Sequence, residues 1–222
     1  MSDAVRLPLV LGLISLMSSA GLSVTYVLTR DEIRRQEQLQ RDQGLAKVFG
    51  VELKGEGAER PWRQLPAPAG KGNEAGPAVY EAKDPTTGRL AYAAGGSGRG
   101  YGSQIEVIVA VDDAVVKHPE TAKIKAVKVV SQADTPGFGS KSQAPEFERQ
   151  FQNLLLGKLE LKRNAPYRDP SKPKDAESEV AAITGATITS NAVLTAVRQA
   201  VARIREQAGQ AVEIVPFDLP ED

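Results

Sequence analysis

The 222-residue chain contains no cysteine. That absence excludes disulfides, thiolate zinc sites, iron–sulfur clusters and cysteine nucleophiles together. Histidine is almost as scarce: His118 is the only one, and it precedes Pro119 in a polar stretch. Met1 and Met17 are the only methionines. These counts argue against haem ligation and against a histidine-based metal centre, and a serine–histidine–carboxylate triad would have to be built on His118 alone. Redox chemistry in such a chain falls to an organic cofactor. Excess charge is missing too. The formal net charge is zero, so the chain shows none of the basic surplus that marks a nucleic-acid partner. What remains is ordinary for a globular protein, with 41% hydrophobic and 25% charged residues. The length suits one good core plus attachments.

Charge is also absent locally. Leu7 to Thr29 reads LPLVLGLISLMSSAGLSVTYVLT without a single charged side chain, and about 20 such residues span a bilayer as a helix. Pro8 suits a first helical turn, and Tyr26 suits the far interface. A cleaved signal peptide is the rival reading, because Leu9 to Met17 resembles an h-region followed by the small residues Ser18-Ser19-Ala20. The apolar run continues well past Ala20, which favours an uncleaved anchor over residues 1–29. Only Arg6 precedes the span, whereas Arg30, Arg34, Arg35, Arg41 and Lys47 follow it. The positive-inside rule alone would keep the following domain in the cytoplasm, but long domains translocate largely regardless of charge. Residues 30–53 read as a juxtamembrane helix or stalk, with Ile33, Leu39, Leu45, Val48 and Phe49 scattered among charges. Residues 54–78, with Pro61, Pro66, Pro68 and Pro77, read as a Gly/Pro-rich loop that Trp62 anchors to a surface.

The folded domain is expected over 79–215, with an acidic tail at 216–222. AVYEAKD and RLAYAAG flank the turn signal DPTTG and predict a hairpin. QIEVIVAVDD and KIKAVKVVSQ alternate and predict two more strands. Phe147, Phe151, Leu154 and Leu155 sit at helical spacing over 146–156, a segment ended by Gly157. A polar loop follows from Lys162 to Glu177. A last helix, starting near Ser190, buries Val193, Val197, Val201 and Ile204. Strands mixed with segregated helices indicate the α+β class, with a mostly antiparallel sheet and flanking helices. GGSGRGYG, residues 95–102, lacks the Gly-Lys-Ser/Thr ending of a phosphate loop and precedes a strand, so it reads as a flexible loop or strand bend. DTPGFGS, residues 134–140, reads as a tight turn displaying Phe138, where an aromatic ring and bare backbone could meet a planar ligand.

ITGATITSNAV, residues 183–193, crowds hydroxyls ahead of the last helix. Ser190 or Thr189 would cap that helix, with Ile183 and Ile188 pointing into the core. One cap leaves Thr184-Gly185-Ala186-Thr187 unexplained. Hydroxyls, N–H groups and small residues at a helix N-terminus make a site for an anion such as phosphate.

TGATITS resembles the flavinylation motif of the FMN-binding domain family, Ser/Thr-Gly-Ala-Thr-x-Thr/Ser. GYGSQIEVIVAVDD, KIKAVKVVSQADTPGFGSK and TGATITSNAVLTAV follow that family's order. The resemblance implies FMN joined by a phosphodiester to Thr187, which acts as a tether and takes no part in proton or hydride transfer. It implies that Thr184, Gly185 and Ala186 give the phosphate a close approach and that Ser190 and the helix N-terminus offset its charge. Thr135, Gly137, Phe138 and Gly139 are expected to line the ring site, and no metal is expected. The resemblance further implies an electron-relaying component of a membrane ion-translocating ferredoxin:NAD oxidoreductase of the Rnf type, not active alone. The implied location is the inner membrane, single-pass, with the flavin domain on the extracytoplasmic side. Its implied partners are the other membrane subunits of the Rnf-type complex and a flavin transferase for maturation. The family usually places an aspartate three positions before the first motif hydroxyl, where this chain has Ala181, with Glu177 and Glu179 the nearest acids. The alternative is a non-flavinylated, membrane-anchored assembly module of the same complex.

Overall fold

In QIEVIVAVD every second side chain faces the same way, and both faces are apolar over most of the strand, so this segment must lie between two layers. The computed structural model describes residues 3–53, 60–66, 78–119, 121–134, 136–171 and 179–214. In it, strand β4 (Gln104–Asp112) directs Ile105, Val107, Val109 and Val111 into one core, and Ile108 and Ala110 into another. Strand β3 (Leu90–Arg99) divides in the same way, with Tyr92 and Ala94 on the first side and Ala91 and Ala93 on the second.

The sheet is an antiparallel meander of five strands in chain order: β1 (Trp62–Gln64), β2 (Val79–Lys83), β3, β4 and β5 (Ile124–Ser131). The hairpin expected around DPTTG is β2–β3, with Val79 opposite Ala94 and Lys83 opposite Leu90. The strands expected from QIEVIVAVDD and KIKAVKVVSQ are β4 and β5, paired antiparallel with Val109 opposite Val127. Short helices α2 (Ala114–Lys117) and α3 (Pro145–Arg149) and a parallel pair, β6 (Leu161–Lys162) with β7 (Val180–Ala181), complete the connections. Helix α4 (Thr187–Ile214) lies on the first face of the sheet. It buries Ala192, Val193, Ala196, Val197, Ala200, Val201 and Ile204 there.

Ala192, Ala196 and Ala200 recur every fourth residue and form one stripe of α4. They meet Gly96 and Gly98 of β3. A Cβ on Gly96 would strike the carbonyl oxygen of Ala196, and one on Gly98 would strike that of Ala192. Gly95, Gly96 and Gly98 are therefore strand residues, the last two admitting a helix backbone, while Gly100 and Gly102 lie in the β3–β4 turn. Because β2 pairs with β3 only as far as Ala94, the outer edge of β3 beyond it needs other partners. Helix α4 supplies them: Gln199 Oε1 accepts the Ser97 N–H at 2.8 Å, and Arg203 donates to the Gly95 carbonyl.

Three further expectations change. Trp62 belongs to β1, where it is buried and stacks on Phe49 with ring centroids 6.2 Å apart, so the Gly/Pro-rich stretch contains a strand; residues 54–59 and 67–77 lie outside the described residues. The helix expected over 146–156 ends at Arg149. Asn153 takes φ 57°, its N–H bonds to the Ile124 carbonyl at 2.8 Å, and the Leu154 carbonyl accepts the Ile124 N–H at 3.0 Å. Backbone groups that a longer helix would use internally serve β5 instead, while Phe147, Phe151 and Leu154 still reach the core. Finally, α4 starts at Thr187, three residues before the expected Ser190. The acidic tail at 216–222 lies outside the described residues.

The chain forms two units, residues 1–42 and 43–222. The first consists of helix α1 (Asp3–Phe49) up to Asp42, and the last turns of α1 bury Leu45, Ala46, Val48 and Phe49 within the second. The charge-free stretch makes α1 long and apolar enough to cross a membrane. Its 23 residues from Leu7 to Thr29 would cover roughly 35 Å as a helix. Hydrocarbon leaves no solvent to satisfy polar groups. Accordingly, the hydroxyls of Thr25 and Thr29 donate to the carbonyls of Gly21 and Thr25, one turn back, at 3.0 and 2.9 Å.

Candidate functional site

The four hydroxyls of TGATITS have four different environments. Gly185 takes φ 79°, a left-handed conformation that glycine adopts without strain, and it turns the chain into α4. The first intrahelical bond runs from the Ser190 N–H to the Ala186 carbonyl at 3.0 Å, which makes Ala186 the N-cap. Alanine is a poor N-cap because it offers no oxygen to the N–H groups of the first turn. Ser190 and Thr189, the expected caps, sit inside the helix and bond elsewhere. Ser190 is fully buried; its hydroxyl accepts the Ile183 N–H at 2.9 Å and donates to the Ala186 carbonyl at 2.9 Å, clasping the loop that leads into α4. Thr189 is buried and donates to Asp134 Oδ2 at 2.6 Å. Thr184 is exposed. Thr187 is half-buried, and among the described residues its hydroxyl makes no hydrogen bond.

Thr187 opens onto a cavity of about 460 Å³, lined by Tyr101, Asp134, Phe138, Gly139 and Gly185 to Thr189. Tyr101, Phe138 and Ile188 form its apolar rim, exposed by 75, 53 and 53% respectively. Ile188 therefore faces the cavity and not the core, because the helix starts earlier than expected and the residue falls on the outward side of its first turn. Phe138 is displayed by the Pro136–Phe138 turn, where Gly137 takes φ 81° and donates its N–H to Ser140 Oγ at 2.9 Å. A Cβ on Gly185 would lie 2.9 Å from Phe138 Cδ1, so the two turns meet at van der Waals contact.

One charged side chain lines the cavity, and it is an acid. Asp134 Oδ1 accepts the N–H groups of Gly102 at 2.7 Å and Ser103 at 3.2 Å. Burial on its own pushes the Asp134 carboxyl up, but hydrogen bonds from the Thr189 hydroxyl and the N–H groups of Gly102, Tyr101 and Ser103 outweigh it and hold the group below the usual carboxylate range. Asp134 is ionised.

Of the residues expected from sequence, Thr187, Gly185, Ala186, Phe138 and Gly139 come together at the cavity. Thr184 and Gly137 lie beside it, and Ser190 lies beneath it; Thr135 falls outside the described residues. Sequence reasoning missed Asp134, Tyr101, Ile188 and Thr189. The aspartate opening DTPGFGS and the third hydroxyl of TGATITS were visible, but nothing local pairs two residues 55 positions apart. Ala181 is fully buried in β7, its N–H and carbonyl both held by the Gln150 side chain at 2.9 and 3.3 Å. Glu179 pairs with Lys162 at 3.7 Å, and Glu177 lies outside the described residues.

The residues fit a phosphorylated planar ligand. An uncapped helix N-terminus with small residues around it suits the phosphate, an unengaged hydroxyl stands beside it, and aromatic and aliphatic walls suit a ring. Residues 100–202 match the family described as FMN-binding domain. The G subunit of the proton-translocating ferredoxin:NAD(+) oxidoreductase complex of Clostridium ljungdahlii is 32% identical over 120 residues, 54% of this chain and 56% of the relative. The G subunit of the ion-translocating oxidoreductase complex of Aliivibrio fischeri is 30% identical over 195 residues, 87% of this chain and 86% of the relative. The chain belongs to the FMN-binding domain family, with the G subunits of ion-translocating oxidoreductase complexes as its relatives. The crystal structure of Shewanella oneidensis NqrC shares the fold, with a TM-score of 0.55 at 19% identity, covering 79% of this chain and 98% of that one. The expected α+β architecture, an apolar N-terminal helix followed by a mostly antiparallel sheet with flanking helices, is the one observed.

Proposed function

We propose that the chain is the membrane-anchored, FMN-carrying electron-relay component of an ion-translocating oxidoreductase complex of the Rnf type, with FMN esterified through its phosphate to Thr187. The observation that carries this reading is the division of hydroxyls. Thr189 and Ser190 are engaged and buried, Thr184 lies outside the cavity lining, and Thr187 alone is both unengaged and at the cavity. Bound FMN supplies one- and two-electron redox chemistry, which no side chain of this cysteine-free protein can provide. The protein's contribution is to hold the cofactor. N–H groups of the first turn of α4 and the helix dipole offset the phosphate charge, Gly185 and Ala186 leave room for it, and Tyr101, Phe138 and Ile188 keep water from the ring.

The relay has one redox group and needs neighbours to deliver and remove electrons, so the chain works with other membrane subunits and is inactive alone. A flavin transferase loads it. Helix α1 anchors it in the inner membrane, residues 1–29 forming the span and 79–215 the flavin domain, on the extracytoplasmic side. A covalent tether suits that side, where free FMN would diffuse away.

The test is in-gel flavin fluorescence of denatured protein from native membranes, with mass spectrometry of the peptide containing residues 184–190. Wild-type and Thr184→Ala proteins should carry flavin, Thr184→Ala more weakly, and Thr187→Ala should carry none while still inserting. Flavin retained in Thr187→Ala, or mapped to Thr184 or Thr189, refutes the assignment. A wild-type chain without flavin points to the structural-module reading.

A further inference from the structure

Asp134 is the most heavily engaged polar group at the cavity. It is 6% exposed, and both carboxylate oxygens are occupied. Its donors lie on separate pieces of the cavity wall. Gly102 and Ser103 follow Tyr101 in the β3–β4 turn, and Thr189 lies in the first turn of α4, two residues after Thr187. Asp134 itself leads into the turn that displays Phe138. Packing is as close as the hydrogen bonding: a Cβ on Gly139 would overlap the Asp134 side chain, and one on Gly100 would lie 2.8 Å from Oδ2. Ser103 reinforces the junction, its hydroxyl accepting the Ala133 N–H at 2.8 Å.

We infer that Asp134 is a positioning residue for flavin attachment: it ties the Tyr101 turn and the Phe138 turn to the N-terminus of α4, and so presents the Thr187 hydroxyl at the floor of a formed cavity. The inference rests on the reading that Thr187 carries FMN. A negative charge is no asset in a site for an anionic phosphate whose lining contains no lysine or arginine. What the position requires is a compact side chain with hydrogen-bonding capacity on both sides. Asparagine meets that requirement. Its Oδ1 keeps the Gly102 and Ser103 N–H groups, and its Nδ2 donates to Thr189 Oγ1, a hydroxyl that accepts as readily as it donates. Alanine strands two backbone donors and a buried hydroxyl.

The experiment measures covalent flavin per folded chain in full-length protein from native membranes. The readouts are flavin absorbance after denaturation, the mass of the 184–190 peptide, and thermal melting to count folded chains. Asp134→Ala should lower loading by about ten-fold or more, since it removes the hydrogen bonds to Gly102, Ser103 and Thr189 together. Thr189→Val, which removes one bond at nearly constant volume, should lower it several-fold, and Asp134→Asn should restore it. Full loading of Asp134→Ala overturns the inference, as does an Asp134→Asn protein as empty as Asp134→Ala, which would assign the role to charge. If Asp134→Ala does not fold, the other two variants decide. A loaded Asp134→Asn with a depleted Thr189→Val supports the inference, and a fully loaded Thr189→Val overturns it. Failure of the underlying reading is seen separately, as a wild-type peptide without flavin.

Discussion

Gly98→Ala adds one methyl group where sheet and helix touch. The new Cβ would overlap the Ala192 carbonyl oxygen and lie 2.8 Å from its carbonyl carbon and 3.0 Å from its Cα. Carbon atoms prefer separations of about 3.5–4.0 Å, and every atom in the way belongs to backbone. No side chain can rotate aside, so α4 or β3 must retreat by about 1 Å. Overpacking of this kind costs roughly 1–3 kcal/mol, and the upper end applies where only backbone can yield. Replacing glycine also removes unfolded-state freedom, which returns about 0.4–1 kcal/mol. The net loss is about 2 kcal/mol, and at roughly 2–4 °C per kcal/mol for a domain of this size Tm should fall by about 4–8 °C. The displacement is centred on Ala192, little more than a turn from Thr187, so covalent flavin should decline as well. The assay is thermal unfolding of the detergent-solubilised chain followed by near-UV circular dichroism, with flavin fluorescence measured on the same samples. Gly157→Ala is the control: its Cβ meets nothing within 4 Å and its φ is not left-handed, so it should stay within about 0.5 kcal/mol of wild type. If Gly98→Ala melts with the control, α4 does not rest on the glycines of β3.

Three further outcomes can be measured. Ser190→Ala should destabilise the folded domain by about 1–3 kcal/mol in chemical denaturation, because it strands the buried Ile183 N–H. Burial pushes the Asp84 carboxyl up, but Lys125, the Thr86 N–H and the Thr87 hydroxyl bring it down from 3.8 to about 2. That lowering contributes about 2 kcal/mol, fully present above the unfolded value near 4 and lost as pH falls through 4 toward 2; Lys125→Met should flatten this acid limb in unfolding curves recorded from pH 7 down. The flavin domain should be digested by protease added to intact spheroplasts, and digestion only in inverted vesicles would place it in the cytoplasm, as the charge count around the span suggests.

The parts legible in sequence were those whose cause is local. DPTTG between two apolar runs gave away the β2–β3 hairpin, and alternation exposed β4 and β5. The helical spacing of Phe147 and Phe151 shows one turn of helix, but the helix stops at Arg149 because β5 needs the backbone of Asn153 and Leu154. The strand at Trp62 was hidden because three residues in a Gly/Pro-rich stretch have too little pattern to show. Gly96 and Gly98 were misread for a different reason. Their explanation is α4, about a hundred positions further along, and glycine looks the same in a loop as under a helix.

The start of α4 was misplaced because Ser190 looks like a cap and Ala186 does not. A capping hydroxyl at position 186 would occupy the N–H groups of the first turn and stabilise the helix by about 1 kcal/mol, but it would also close those groups to an incoming phosphate. In this chain the hydroxyls suited to capping are diverted, Ser190 to the loop behind the helix and Thr189 to Asp134. The N-terminus is left open and Thr187 unengaged beside it. Local stability is given up at a helix end where a bound anion could restore it, so loading with the cofactor should tighten the same turn that receives it.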